Sequence, residues 1–473
     1  MSPCETLTLP SKGAVPGALP VSLEEYGVST NGFLPSEPPL ERLPNPYYSP
    51  WESLIASLPT LLEQQTFRSQ VDRLPILSTE HLSSEQEWRR ACVVLGFLAH
   101  AYIWGGETPA EILPPPITIP FLAASSHLGI PPVASYACLN LWNFRSASLN
   151  PANLDSLHAL HTFTGTEDES WFYMVSVAME AQGGYIIPVM LHALESLHHH
   201  HHPEQQSPAV YNTTIASLDE LTSCIGTLGK LLDRMDERCR PPVFYHRIRP
   251  FLAGSKNMSA AGLPRGVFYD EGDNGGRKGE WRELRGGSNG QSSLIQFLDL
   301  VLGVEHAVQG NSGPEQKQSQ SRRGDGAGKE GRRMGRYPGG MRAGVSRLLG
   351  LEEVGEGEGG GGLRQQQLAV REAFQTATKA LAEFRNKHLQ LVTRYIIIPS
   401  RQPNGCTGLN LATVSSKLRS EPGVEGRQGS TPKARGELTG TGGTELLPFL
   451  KQSRDETFQA GQLQVRKVLS VEH

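Results

Sequence analysis

The chain has 473 residues and a formal net charge of -4, so no chain-wide positive field draws in a nucleic-acid backbone, and no nucleic-acid partner is expected. Its length allows two or three average domains or one large domain with insertions, while 51 Gly and 34 Pro point to long irregular segments within a globular protein. Six cysteines (Cys4, Cys92, Cys138, Cys224, Cys239 and Cys406) lack CxxC spacing, which argues against a zinc site or a disulfide framework and fits reduced thiols in the cytoplasm.

Met1 to Leu40 shows no basic region followed by an apolar run, so no secretory signal is read there and residues 1–40 are expected to form a flexible N-terminus. Ser84 and Glu87 have capping-box spacing before the apolar run Ala91 to Trp104, which Gly105 and Gly106 stop. That run is shorter than the roughly 20 residues a membrane span needs and contains His100, so no membrane partner is expected. Leu113 to Pro120 carries Pro114, Pro115, Pro116 and Pro120 and reads as an extended connector. Ser170 to Met190 and Ile215 to Arg238 repeat apolar residues every three or four positions, the pattern of bundled helices. His198 to His202 is a solvated loop on composition, with weak metal binding as its other reading. Gln309 to Leu363 is too polar and glycine-rich to offset its ordering entropy and is expected to be a disordered insertion. Pro403 to Lys433 has the composition of a mobile loop. Few runs alternate as strands do, and the balance predicts a mainly α fold.

Val370 to Pro399 is the strongest helical pattern, with Phe374, Ala377, Leu381, Phe384, His388, Leu391 and Tyr395 recurring on one face. His388 is either a satisfied core histidine or a neutral imidazole that ligates a metal or haem iron. Arg385, one turn earlier, is a surface cation or is buried against a carboxylate or propionate. Gly286 to Gly290 spells G-x-S-x-G before the apolar run Leu294 to Leu302. A nucleophile elbow at Ser288 would require a buried strand before it, yet Trp281 to Arg285 is charged. The other reading is a glycine-rich loop that lets backbone approach a flat ligand. Phe172 and Ser176 share a helical face, suited to an aromatic, weakly polar ligand or to core packing. Arg247 or Arg249 could bind a carboxylate or be solvated, and helical spacing does not place Phe244 and Arg249 on one face.

Taken together, LPNPYYSPW at Leu43, LGFLAHAYIWG at Leu95, PPVASYA at Pro131, FYMVS at Phe172, GGSNGQSSLIQFLDLVLGV at Gly286, REAF at Arg371, FRNKHLQLVTRYIIIP at Phe384 and GTGGTELLPFL at Gly440 resemble the indoleamine 2,3-dioxygenases, and among them a fungal-type member. They occur in family order over most of residues 40–305 and 364–452. The resemblance implies an all-α protein: a small N-terminal domain (41–145), a large haem-binding helical domain (146–400, interrupted by 309–363), a mobile loop (401–437) and a C-terminal segment (438–473) closing the active site. It implies haem b with iron on His388, supported by Asp299 and Arg385 on the proximal side, with Ser288 and Asn289 also near the cofactor. Tyr136, Phe172, Phe244, Arg249, Gly287, Ser288 and Thr441 match substrate-binding positions, with Arg249 on the substrate carboxylate and Ser176 adjusting hydrogen bonds. The implied reaction adds O2 across the indole C2=C3 bond of L-tryptophan, giving N-formylkynurenine, in a cytoplasmic monomer served by an electron donor. A haem-based oxygen-binding or sensing protein is the alternative on the same scaffold. MGRYPGGMRAGVSRLL departs from the family pattern and is expected to be structurally degraded; Asn289, Leu139 and Asn140 alter the pocket.

Overall fold

The computed structural model describes residues 23, 28–199, 207–273, 277–306, 340–349, 361–401 and 446–463. The mobile loop, Thr441, most of the expected insertion and all but the start of the histidine run lie outside the described residues.

Helices dominate, as the periodicity predicts. Three short ones (Ser49–Ala56, Leu58–Glu63 and Phe67–Val71) lead into α1, Glu85–Trp104. Ser84 caps α1 by accepting from the Glu87 N–H, but the Glu87 carboxylate reaches past Ser84 to the backbone N–H and hydroxyl of Ser83. The proline-rich segment expected to be an extended connector instead opens α2, Pro115–Leu128. Pro114 is extended at the N-cap, and Pro115 and Pro116 fill the first turn, where an N–H has no intrahelical acceptor to lose. Only Pro120 forfeits a helical hydrogen bond, and it is buried.

The two predicted bundle segments become α3 (Glu167–Gly184), α4 (Ile186–His199) and α5 (Pro208–Asp233). Glu167–His198 is apolar and long enough to cross a membrane by length and composition, yet 72% of its apolar window is buried in the fold, the condition of core helices. Next come α6 (Ser293–Leu302), α7 (Gly340–Leu348), α8 (Gly361–Val392) and α9 (Leu446–Ala460). The segment expected to be degraded is therefore helical in α7: Val345 and Leu348 are buried, and the Tyr211 hydroxyl donates to the Leu348 carbonyl. Its spaced apolar residues find partners on α4 and α6, which composition averaged over the insertion concealed.

Strands are few and short. β1 (Ile112–Leu113) runs parallel to β4 (Val267–Asp273), and β4 pairs antiparallel with β5 (Arg277–Arg282), with Tyr269 opposite Glu280. β2 (Phe144–Ser146) and β3 (Leu157–Ala159) form a separate antiparallel pair.

Buried side chains divide into two cores. One gathers Trp51, Phe97, Phe121, Tyr173 and Phe244; the other gathers Ile186, Leu228, Phe297, Phe374 and Leu381. Met179 on α3 and Leu391 on α8 pack against both. These two residues lie three positions beyond Ser176 and His388, so the seam between the cores passes beside both.

Candidate active site

His388 sits on α8 between buried Phe384 and partly buried Leu391. Burial, reinforced by the positive charge of Arg385, pulls its pKa down to about 4. The imidazole is therefore neutral near pH 7, the form that can ligate a metal.

One turn earlier, Arg385 meets a carboxylate. Its Nη2 donates to Asp299 Oδ1 at 2.5 Å, while Nη1 donates to the Ser453 carbonyl at 3.0 Å and to the Thr457 hydroxyl. The other Asp299 oxygen contacts His306 Nε2 at 3.1 Å, and His306 Nδ1 contacts Glu456 Oε2 at 2.6 Å. Burial works against a charge on His306, but Asp299 and Glu456 outweigh it and hold the pKa up. With a carboxylate on each nitrogen the ring is suited to donate from both. This chain of charges ties α6, α8 and α9 together behind His388.

Across the seam, α3 presents Phe172 and, one turn on, buried Ser176. The rings of Phe172 and Phe244 lie 4.7 Å apart, and Phe244 stands edge-on to Tyr395 at 5.7 Å. Residues Phe244–Ile248 form a π-helical turn, so the Arg249 N–H donates to the Phe244 carbonyl five residues back. In that wider turn residues five apart share a face. The expectation that Phe244 and Arg249 diverge assumed α-helical spacing and is corrected here. Burial also separates the two arginines: Arg247 is exposed, whereas Arg249 is only 3% exposed. Desolvation pulls the Arg249 pKa down to about 10, against the favourable influence of Tyr245, whose ring lies 5.7 Å from the guanidinium carbon. It remains a cation near pH 7.

The third wall joins Tyr136 to the glycine-serine loop. Gln291 Oε1 accepts from the Tyr136 backbone N–H at 3.0 Å and from the Ser288 N–H at 3.4 Å. A Cβ on Gly287 would stand 2.5 Å from Leu139 and 2.8 Å from the Ala134 carbonyl, so only glycine fits this approach. Ser288 and Gln291 complete a capping box around Asn289–Gln291. Ser288 itself is extended, at φ -148 and ψ 143, and β5 ends at Arg282. The strained strand-to-helix turn of a nucleophile elbow is not built.

Several residues missed by the sequence reading complete this arrangement. Buried His100 accepts the Ala134 N–H on Nε2 at 3.1 Å, and its Nδ1 lies 2.7 Å from the Phe251 carbonyl, a pairing that assigns the proton to Nδ1. Glu180 accepts from Tyr136 and Ser292. Glu180 follows Ser176 by four residues, so the face-sharing that singled out Phe172 and Ser176 could have found it. His306 and Glu456 had no comparable signal, being joined only by the fold.

Comparisons with known proteins identify the family. The family model for indoleamine 2,3-dioxygenase matches residues 22–460. An indoleamine 2,3-dioxygenase of Saccharomyces cerevisiae is 39% identical over 449 residues, covering 93% of this chain and 93% of the relative. One of Penicillium citrinum is 36% identical over 454 residues, covering 93% and 89%. A protein of Fusarium equiseti named 6-hydroxytryptophan 2,3-dioxygenase is 35% identical over 446 residues, covering 93% and 98%. With matches that run from the N-terminal helices through the Gly287 loop and His388 to the last described helix, the chain belongs to the indoleamine 2,3-dioxygenase family, a family of oxidoreductases.

Proposed function

We propose that this chain is a haem-dependent dioxygenase that opens the indole ring of L-tryptophan at C2=C3 to give N-formylkynurenine, working in the cytoplasm with O2 and an electron donor. The observation that carries this reading is the buried cation Arg249, tied through its backbone N–H to the Phe244 carbonyl, with the Phe244 ring 4.7 Å from that of Phe172, one turn before buried Ser176 on α3. A cation, two aromatic rings and a weak hydrogen-bonding group answer the carboxylate and the indole of one small molecule.

The donor set suits haem b. Among the described residues no group of three or more His, Cys, Asp or Glu side chains could hold a bare metal ion. A single neutral His388 is what a macrocycle bringing its own four nitrogens requires. Asp299 and Arg385 would hold the ligand helix and the haem edge, as partners beyond the ligand do in other metal sites. Bound there, haem supplies the iron chemistry that activates O2. The chain's own residues do the rest. Arg249 pairs with the substrate carboxylate, Phe172 and Phe244 enclose the indole and exclude water, and the Tyr136, Gly287 and Ser288 wall fixes its depth. Ser176 donates or accepts a hydrogen bond without needing to act as a strong base.

Reconstituting the purified chain with haem, then adding tryptophan, O2 and a reductant, tests this. A Soret band and N-formylkynurenine are expected, both lost in His388→Ala. Absence of the band overturns haem ligation, and a normal band without product favours an oxygen-binding protein on this scaffold.

A further inference from the structure

Glu180 lies on α3 one turn beyond Ser176 and is 2% exposed. Its Oε1 accepts two hydroxyl donors at once, Tyr136 Oη at 2.9 Å and Ser292 Oγ at 2.5 Å. Each donor belongs to a different part of the molecule. Tyr136 begins the wall that includes Leu139 and Asn140, whereas Ser292 is the N-cap of α6, accepting from the Ile295 N–H, and α6 carries Asp299 two turns later. Gln291 holds the backbone of Tyr136 in the same region, so the tyrosine is fastened at both ends. The phenol is kept protonated by burial and by the neighbouring Glu180 charge, which raise its pKa well above the ordinary tyrosine value. It can therefore serve as a donor throughout the working pH range.

We propose that Glu180 is a positioning residue for the substrate pocket: by gathering Tyr136 and Ser292 onto one carboxylate oxygen, it locks the indole-facing wall to the helix that bears Asp299. The inference rests on the reading of Tyr136 as a pocket residue. A carboxylate suits this role because a charged oxygen holds two hydroxyl donors more strongly than an amide oxygen does. Glutamine would also place an NH2 group in a buried position shaped around an acceptor. Glu180 acts through Tyr136 and Ser292, and the chemistry itself needs no proton from it.

The test uses the full-length, haem-loaded chain in four forms: wild type, Glu180→Gln, Tyr136→Phe and the double variant. Haem content, KM and kcat for tryptophan, and the CO stretching frequency of the ferrous CO complex with and without tryptophan are read for each. Glu180→Gln is expected to raise KM about tenfold while kcat changes less than about threefold and haem content stays the same. Tyr136→Phe should have a comparable effect, and the double variant should be no worse than the poorer single one, because both remove one interaction. The tryptophan-induced shift in CO frequency should shrink in all three variants. If Glu180→Gln does not accumulate as folded protein, Tyr136→Phe and Ser292→Ala replace it, each removing one donor, and their KM effects should combine less than multiplicatively. Unchanged KM in Glu180→Gln, or effects that multiply in the double variant, overturns the positioning role while wild-type turnover stands. A wild-type chain that ignores tryptophan overturns the function first, and this inference with it.

Discussion

The Arg249 N–H bonds to the carbonyl of Phe244, and the residue after Arg249 is Pro250. The same grammar recurs on the ligand helix, where the Ile398 N–H bonds to the Thr393 carbonyl and Pro399 follows. Proline lacks an N–H, and its ring crowds the carbonyl four residues back, so widening the preceding turn relieves the clash without ending the helix. The two wider turns meet in the first core, where Phe244 of one stands edge-on to Tyr395 of the other at 5.7 Å.

Pro250→Ala should let the first of these turns relax toward α-helical spacing and carry Arg249 out of line with Phe244. KM for tryptophan is expected to rise about tenfold with an unaltered Soret band. Steady-state kinetics beside an absorption spectrum check this, and an unchanged KM would show that the turn does not set the arginine.

Arg249→Ala should lower kcat/KM for tryptophan by on the order of 10²-fold, the effect of losing a desolvated charge pair. Arg249→Lys should recover only part of this, since an ammonium keeps the charge but not the planar fork. Indole derivatives without a carboxylate should be turned over with nearly equal efficiency by wild type and Arg249→Ala.

Gly287→Ala would press a methyl group against both Leu139 and the Ala134 carbonyl. Adding Leu139→Ala removes the side-chain clash but leaves the backbone one. Activity should therefore fall at least about tenfold in Gly287→Ala and return only in part in the double variant. Complete recovery would mean that the carbonyl contact is unimportant.

The organisation of the helices was largely legible because apolar spacing and caps are local. Ser84, Thr166 and Gly303 end or begin helices as such residues do, and α8 displays its apolar face in sequence. Pro114 to Pro120 misled because prolines forbid a helix interior but favour its first turn. The short sheet escaped notice because β5 is a charged edge strand of six residues. At the site, individual residues could be singled out, but their partners could not. Asp299 and Arg385 are 86 residues apart and His100 and Phe251 are 151 apart, so only tertiary structure joins them.

Acid should destabilise the protein through His100. Its pKa is pulled down by burial to about 4 in the folded chain, from an ordinary value of about 6.5. The unfolded chain thus binds the extra proton first, and stability falls as pH drops from about 6.5 to about 4. Above that window His100 contributes no pH dependence. His100→Gln should remove up to about one proton from the measured slope of unfolding free energy against pH. Chemical denaturation at several pH values reads it directly, and an identical slope would assign the acid sensitivity to other groups.

Asp299→Ala leaves Arg385 and His306 without their shared carboxylate, which should cost about 3 kcal/mol of stability in the apoprotein. Haem retention during gel filtration should drop in parallel. Asp299→Asn, which keeps the shape but not the charge, should fall between this variant and wild type.

Tyr136, Phe172 and Phe244 pack in one core and Phe384, one turn before His388, in the other, so the two sides of the pocket divide between two packed bodies that Met179 and Leu391 join. A crevice of this kind can widen by a small rotation of one body against the other, without exposing the interior of either. Admission of a bulky ring system is then a hinge problem rather than a melting problem. The rate of entry should respond to substitutions along the join, such as Met179→Leu or Leu391→Met, while the melting temperature barely moves.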